Sequence, residues 1–124
     1  MMEEIKKGIN DELLGKVKPV MELIKYQDNA VVSKMLINKK NGNVTLFAFD
    51  EGEGLSEHTA PFDALIYCIE GKAEVIISRN KNIIDEGQLI IMPSNQTHSI
   101  KALSKFKMML IMIKEIISDV TSYH

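Results

Sequence analysis

Short runs rich in Val, Ile, Phe and Tyr follow one another from Pro19 to the end of a long apolar segment at Ile113. Turn residues separate the runs, as is typical of β-strands. Because no helical segment lies between them, we expect an antiparallel all-β domain, a sandwich or a barrel. The pattern predicts about nine or ten strands; their ranges are 20–26, 31–37, 44–49, 62–70, 73–78, 83–85, 88–92, 97–103 and 105–113.

The N-terminal residues follow a different period. Ile5, Ile9 and Leu13 are spaced roughly one helical turn apart, which predicts a short amphipathic helix or helical turn. We therefore divide the chain into an N-terminal helical or extended segment (1–18), a β-barrel domain (19–114) and a C-terminal tail (115–124). Asn41-Gly42 is the strongest hairpin signal, since glycine supplies the positive φ that tight turns require.

The predicted strand at 62–70 is apolar at both its even and its odd positions, whereas a half-exposed strand alternates. The run from Met109 to Ile113 is also continuously apolar. If one face of these strands points into the barrel, the other face needs a cover of its own. The N-terminal segment or a second subunit could provide it, and a homodimer is the working expectation.

Composition excludes several classes of protein. The chain has 124 residues, of which 45% are apolar and 26% charged, as expected for one globular domain. Its net charge is −2 with a single arginine, Arg79, so a nucleic-acid partner is not expected. No segment is apolar enough to serve as a secretory signal or to span a membrane. A lone cysteine, Cys68, favours a reducing, cytoplasmic location.

Two histidines are candidates for chemistry, because the third, His124, is the terminal residue. His58 and His98 each follow a glycine-containing turn and lie beside a predicted strand. A single histidine in such a place is more often a surface or hydrogen-bonded residue than a ligand. Their shared context gives them more weight.

The sequence around them resembles the small single-domain cupins of the RmlC-like superfamily. Gly52, His58 and Gly71 stand at the spacing of the first cupin motif, and Gly87, Pro93 and His98 stand at the spacing of the second. The resemblance covers roughly residues 31 to 113. It implies a double-stranded β-helix, the cupin jelly-roll barrel, commonly dimeric, with a functional site inside the barrel mouth.

The departures from the motifs indicate a degenerate metal site. Ala60 and Ala64 replace two metal ligands of the family, while Asn95 and Ala102 replace a glycine and an asparagine of the second motif. Only His58 and His98 remain of four usual ligands, so we expect either no cofactor or a weakly bound divalent transition metal. Asp63 is the candidate for an unconventional third ligand; Glu57 and Glu53 are weaker ones.

The barrel parity predicts a small, largely apolar pocket. It would be lined by His58, Ala60, Ala64, Ile66, His98, Ile100 and Ala102. The leading hypothesis is a protein that binds an unidentified small organic ligand there. The alternatives are a metal-dependent oxygenase or isomerase that uses both histidines, a metal-free epimerase with a histidine base oriented by Asp63, and an interaction domain without a pocket. Whether the protein is an enzyme stays open.

Overall fold

The computed structural model describes residues 8–115, and within them the chain forms nine antiparallel strands. Their lengths range from four to nine residues, as is usual for a compact β-domain. The strands are β1 (Val31–Lys39), β2 (Gly42–Phe49), β3 (Gly54–His58), β4 (Asp63–Glu70), β5 (Lys72–Ile77), β6 (Asn80–Asp85), β7 (Leu89–Met92), β8 (His98–Ala102) and β9 (Phe106–Ile113).

The strands form two sheets that face each other. One sheet has five strands in the order β1-β2-β9-β4-β7, and the other has four in the order β3-β8-β5-β6. Most strands therefore lie beside partners that are distant in sequence, as in a jelly roll. The predicted all-β jelly-roll barrel is confirmed.

The interior between the two sheets is apolar. Phe49, Phe106 and Met108 are completely buried there, and the Phe49 and Phe106 rings lie 5.5 Å apart. Cys68, towards the end of β4, is also buried, and its thiol donates to the carbonyl oxygen of Gly71 at 3.3 Å. Burial raises the pKa of this thiol to about 11, so it is unreactive in the folded protein.

The N-terminal part contains less helix than predicted. The helix found among the described residues is a single 3₁₀ turn, Val20–Glu22, preceded by turns at 11–15. Residues 1–7, which include the first part of the predicted helix, lie outside the described residues. The strand predicted at 20–26 is wrong, because Val20, Leu23 and Ile24 are spaced to bury one side of a turn rather than alternate.

Segment 20–26 covers part of the outer face of the five-stranded sheet. Ile24 packs there on Leu46, Ala48 and Ile69, which are also buried. The second faces of β2, β4 and β9 are therefore partly covered by the chain itself, one of the two possibilities that the sequence left open.

Polar contacts hold this segment to the sheet. The Tyr26 hydroxyl donates to Glu70 Oε1 at 2.5 Å, and burial together with this carboxylate raises the tyrosine pKa. The buried Lys107 donates from Nζ to the Met21 carbonyl at 2.8 Å. The Lys107 ammonium also lies 5.0 Å from the centre of the Tyr26 ring, within the range of a cation–π contact.

Two tight hairpins differ in where they contain glycine and in where their backbone adopts a positive φ. Lys40 and Asn41 connect β1 to β2, so Gly42 is the first residue of β2 and does not adopt a positive φ, contrary to the expectation for it. It is glycine because a Cβ would collide with the Met112 carbonyl of β9. Ser78 and Arg79 connect β5 to β6 with φ of 47° and 73°, a two-residue turn of the kind that usually contains glycine.

No helix of membrane-spanning length and hydrophobicity occurs within residues 8–115.

Candidate functional site

A β-bulge in β3 brings the two candidate histidines to the same face. Leu55 pairs with Ile100 and His58 pairs with His98, so two residues of β3 lie opposite a single residue of β8. In a regular strand, Leu55 and His58 would point to opposite faces, because they are three positions apart. The extra residue of the bulge turns both side chains into the barrel.

The two imidazoles are in direct contact. Their Nε2 atoms lie 3.1 Å apart and their ring planes are inclined by 71°. His58 Nδ1 lies 2.8 Å from the Ser56 carbonyl oxygen, so Nδ1 carries the proton that is donated to it. In the neutral pair, His98 Nε2–H therefore donates to the bare Nε2 of His58. This assignment leaves His98 Nδ1 as an acceptor.

That acceptor is unused within residues 8–115. His98 is only 7% exposed, and its Nδ1 is buried without a hydrogen-bond partner. Burial is the main cause that lowers the pKa of His98, the neighbouring His58 lowers it further, and the Gln96 backbone opposes the shift through an interaction short of a well-formed hydrogen bond. His98 is therefore neutral near pH 7.

The imidazoles open onto a cavity of about 40 Å³ between the two sheets. Apart from the histidines, the side chains around it are apolar. They belong to Leu55, His58, Ala60, Phe62, Ala64, Met92, His98, Ile100, Leu110 and Met112. The cavity is narrow because methionine, leucine and phenylalanine side chains fill space that the alanines leave.

The structure places His58, Ala60, Ala64, His98 and Ile100 of the proposed pocket set around this cavity. Ile66 and Ala102, also proposed, are buried in the core and do not line it. Their distance from the mouth explains the difference. Ile66 is the next inward-facing residue after Ala64 on β4, and Ala102 is the next after Ile100 on β8. A role of any of the seven in binding stays a prediction.

Several lining residues were missed by sequence reasoning. Leu55 could not be found because the bulge reverses its parity. Phe62 had a usable signal, because it shares the parity of Ala64 and Ile66 in the predicted strand 62–70, although β4 begins at Asp63. Leu110 and Met112 had a usable signal, since they alternate along β9 with Ile111.

Asp63, the candidate for a third metal ligand, makes a backbone hydrogen bond between two loops, and its role as a ligand stays a prediction. Its Oδ1 accepts the Ser94 backbone N–H at 3.0 Å, and next to it the Asn95 N–H donates to the Ala60 carbonyl at 2.8 Å. These bonds join the loop before β4 to the loop before β8, and Asp63 does not line the cavity. Asp63 makes this bond to Ser94 rather than to either histidine, and its orienting role in an epimerase mechanism stays a prediction.

The residues present fit a tightly held metal poorly. Roughly 2.8–3.4 Å separates two nitrogens bonded to one transition metal at ordinary lengths and angles, and the Nε2 pair lies within that range. In the described part of the chain, however, no three His, Cys, Asp or Glu side chains are grouped for metal binding. A catalytic zinc site has three protein ligands, and the two imidazoles supply one fewer.

Comparison with known proteins agrees with this architecture. A conserved protein of unknown function from Streptococcus pyogenes superimposes with a TM-score of 0.83 at 28% identity, over 88% of this chain and 96% of its own. A cupin superfamily protein from Desulfitobacterium hafniense gives a TM-score of 0.79 at 25% identity, over 88% and 97%. The Cupin 2 conserved barrel domain protein from Leptotrichia buccalis is 35% identical over 76% of this chain and 46% of its own, with a TM-score of 0.73.

Sequence comparison gives the same result for the family. None of the curated proteins matches the chain. The family model described as the cupin domain matches residues 45–114, which include β3, β4, β8 and both histidines. That match spans more than half of the sequence, and the chain therefore belongs to the cupin family.

Proposed function

We propose that this protein binds a small organic molecule in the barrel cavity, with His58 and His98 as the groups that orient it. The observation that carries the proposal is the contact of two imidazoles, 3.1 Å between Nε2 atoms, at the mouth of an otherwise apolar cavity. An apolar cavity with a few convergent polar groups is the usual form of a small-molecule site. His98 Nδ1, buried and unpartnered among the described residues, is a hydrogen-bonding atom still to be satisfied.

The size of the cavity limits the ligand. About 40 Å³ corresponds to room for about three water molecules. A ligand enclosed there has a few non-hydrogen atoms, and a larger one must leave part of itself outside the mouth. Because the ligand replaces water on apolar walls, its enclosed part is expected to be apolar.

Fragment screening by thermal shift and histidine NMR tests the proposal. A ligand that binds only the native state adds about 2.7 kcal/mol of stability at a hundredfold excess over its dissociation constant. The His58 and His98 ring resonances should shift with it. Ala60→Leu, which fills the mouth, should abolish both effects, whereas Ala30→Leu, at a half-buried position away from the cavity, should not. A folded protein that responds to no fragment contradicts the proposal.

A divalent metal ion held by the two imidazoles and water is the second candidate, as part of a metal-dependent oxygenase or isomerase. The Nε2 separation favours it. Elemental analysis of protein purified without chelator separates the candidates. About one metal per chain, lost in both His58→Ala and His98→Ala, would establish a metal site, with Asp63 as the next residue to replace. Metal far below this ratio, with no uptake from added divalent ions, would remove this candidate.

We also propose a homodimer, formed through the part of the outer face that segment 20–26 leaves bare. Leu89 and Ile91 on the edge strand β7 are 57% and 59% exposed, and Ile113 is 63% exposed. With Leu65, Tyr67 and Ile111 they share one face of the sheet, as the strand register shows. An apolar patch of this kind is typical of protein interfaces.

The mass in solution tests the dimer. Light scattering should give twice the chain mass, and Ile91→Lys should give the monomer without loss of the fold. Ile83→Lys, at an exposed position on the other sheet, is the control. A monomeric wild-type protein would contradict this proposal.

The unpaired Cys68 supports the further proposal of a cytoplasmic location, since reducing compartments favour free thiols.

A further inference from the structure

A second concavity lies beside the barrel mouth, and it is basic. Its volume is about 160 Å³, and it opens to solvent where the β1–β2 hairpin approaches the end of β9. We call it the lysine vestibule. It is lined by Lys39, Lys40, Gly42, Asn43, Phe62, Met112 and Lys114.

The vestibule and the barrel cavity share a wall. Phe62 and Met112 line both spaces, and each is half-buried. Phe62 belongs to the irregular connection before β4 rather than to a strand. A ligand that spans both spaces would therefore lie against the Phe62 side chain.

The described side chains that line the vestibule carry charge of one sign. Among residues 8–115, three of the lining residues are lysines and none is acidic. The Lys114 ammonium lies 5.4 Å from the centre of the Phe62 ring, so a positive charge stands against the shared wall. The Asp63 carboxylate does not line the vestibule, and its Oδ1 accepts the Ser94 N–H at 3.0 Å. An anionic group in the vestibule would meet lysine ammonium groups and remain in contact with water.

We propose that the lysine vestibule binds the acid group of a small organic acid whose short apolar part passes Phe62 into the barrel cavity. This inference rests on the proposed function, because it requires that the cavity hold a ligand. It assigns the charged group and the hydrocarbon part of the ligand to different places. Transfer of a carboxylate into the apolar cavity would be costly, so the charge stays outside and the hydrocarbon is buried.

Isosteric acids and amides provide the test. Butyrate and butyramide have nearly the same shape and differ in charge, while acetate lacks the longer apolar part. Binding is followed by titration with NMR detection of the His58, His98 and Phe62 ring resonances. We expect butyrate to bind at least about tenfold more tightly than butyramide, and acetate to bind more weakly than butyrate. The butyrate affinity should fall as salt is added.

A double substitution tests the lysines directly. Lys40→Gln with Lys114→Gln should weaken butyrate binding about tenfold and leave butyramide unchanged. Lys81→Gln with Lys101→Gln removes the same charge from exposed positions on the four-stranded sheet and should leave both ligands unaffected. All four lysines are exposed, so both variants should fold.

Three results would overturn the inference, and they differ in what they mean for the cavity. Equal binding of butyrate and butyramide, with shifts at both histidines, would remove the role of the vestibule but support the cavity as a ligand site. Butyrate binding that depends on the lysines but leaves the histidine resonances unmoved would show an adventitious surface anion only. No response to any of the three compounds would count against the vestibule and the cavity together.

Discussion

Asn95 shows how a departure from a family motif is accommodated. It replaces a glycine of the second cupin motif and adopts a left-handed φ of 63°. Asparagine tolerates this region better than most residues, because its short polar side chain can hydrogen-bond locally. Its N–H also joins the two loops at the mouth through the Ala60 carbonyl. Asn95 thus adopts, without being glycine, a backbone conformation that glycine adopts readily.

Gly71 and Gly87 show two reasons why a motif position is glycine, namely a positive φ and a close approach of another backbone segment. Their φ values are 85° and 83°, but a Cβ on Gly71 would collide with the Lys105 carbonyl, whereas one on Gly87 would meet open space. Gly87→Ala should therefore lower the free energy of unfolding by about 1–2 kcal/mol through strain alone. Gly71→Ala should cost more than this. Urea unfolding of both variants measures the difference, and equal losses would contradict the close approach at Gly71.

His98 should make stability depend on pH. Burial holds its pKa below the ordinary value of 6.5 in the folded protein. Between the lowered pKa and 6.5, the unfolded chain binds more protons than the folded one, so the free energy of unfolding falls as the pH falls. Above 6.5 this contribution is complete.

Urea unfolding between about pH 7.5 and 5 measures this dependence. His98→Gln has no titrating ring and should show a smaller slope in that window. An unchanged slope would mean that His98 is not the group responsible, and His58, its titratable contact, would be replaced next.

At the level of elements, the β5–β6 hairpin carries strain that can be removed. Arg79 has a φ of 73° without being glycine. Arg79→Gly should stabilise the protein by about 1 kcal/mol, since a left-handed non-glycine residue costs about 1–2 kcal/mol and glycine loses some unfolded-state entropy. Arg79→Ala retains the Cβ and serves as the control. A glycine variant no more stable than the alanine variant would show that the turn is unstrained.

Most strands could be predicted from sequence, because their runs of Val, Ile and Phe are long and bounded by turn residues. The exception is β3, Gly54–His58, which has one apolar side chain and lies at a sheet edge. The bulge of β3 could not be predicted from sequence either, because it depends on the pairing of β3 with β8. The spacing of the motifs was enough to bring His58 and His98 into one hypothesis, but the contents of the cavity depend on packing.

For the whole molecule, the five-stranded sheet is covered unequally. Segment 20–26 packs over β1, β2, β9 and Ile69 of β4, while Tyr67 on β4 and Leu89 and Ile91 on β7 stay exposed. The domain boundary expected near residue 19 stays a prediction, because residues before it also pair with β1: the Asn10 N–H donates to the Leu36 carbonyl at 2.9 Å. Segment 20–26 is part of the core and not a linker.

Ile24→Ala tests this role. Ile24 is 4% exposed on the outer face of the sheet, so its truncation should lower the free energy of unfolding by about 2–5 kcal/mol. Val17→Ala, at a fully exposed position just before the segment, should change it by less than about 0.5 kcal/mol. Chemical denaturation of the two variants supplies both values. A loss at Ile24 as small as that at Val17 would place the segment outside the core.

The burial of Cys68 has a practical consequence for measuring these variants. It is the single cysteine of the chain and lies in a strand with neighbours on both sides in the sheet. A thiol reagent can reach it only when the protein opens, so the labelling rate relative to that of an unfolded chain reports the opening free energy under native conditions. The protein thus contains a built-in reporter of its own unfolding, which needs neither denaturant nor an added probe site.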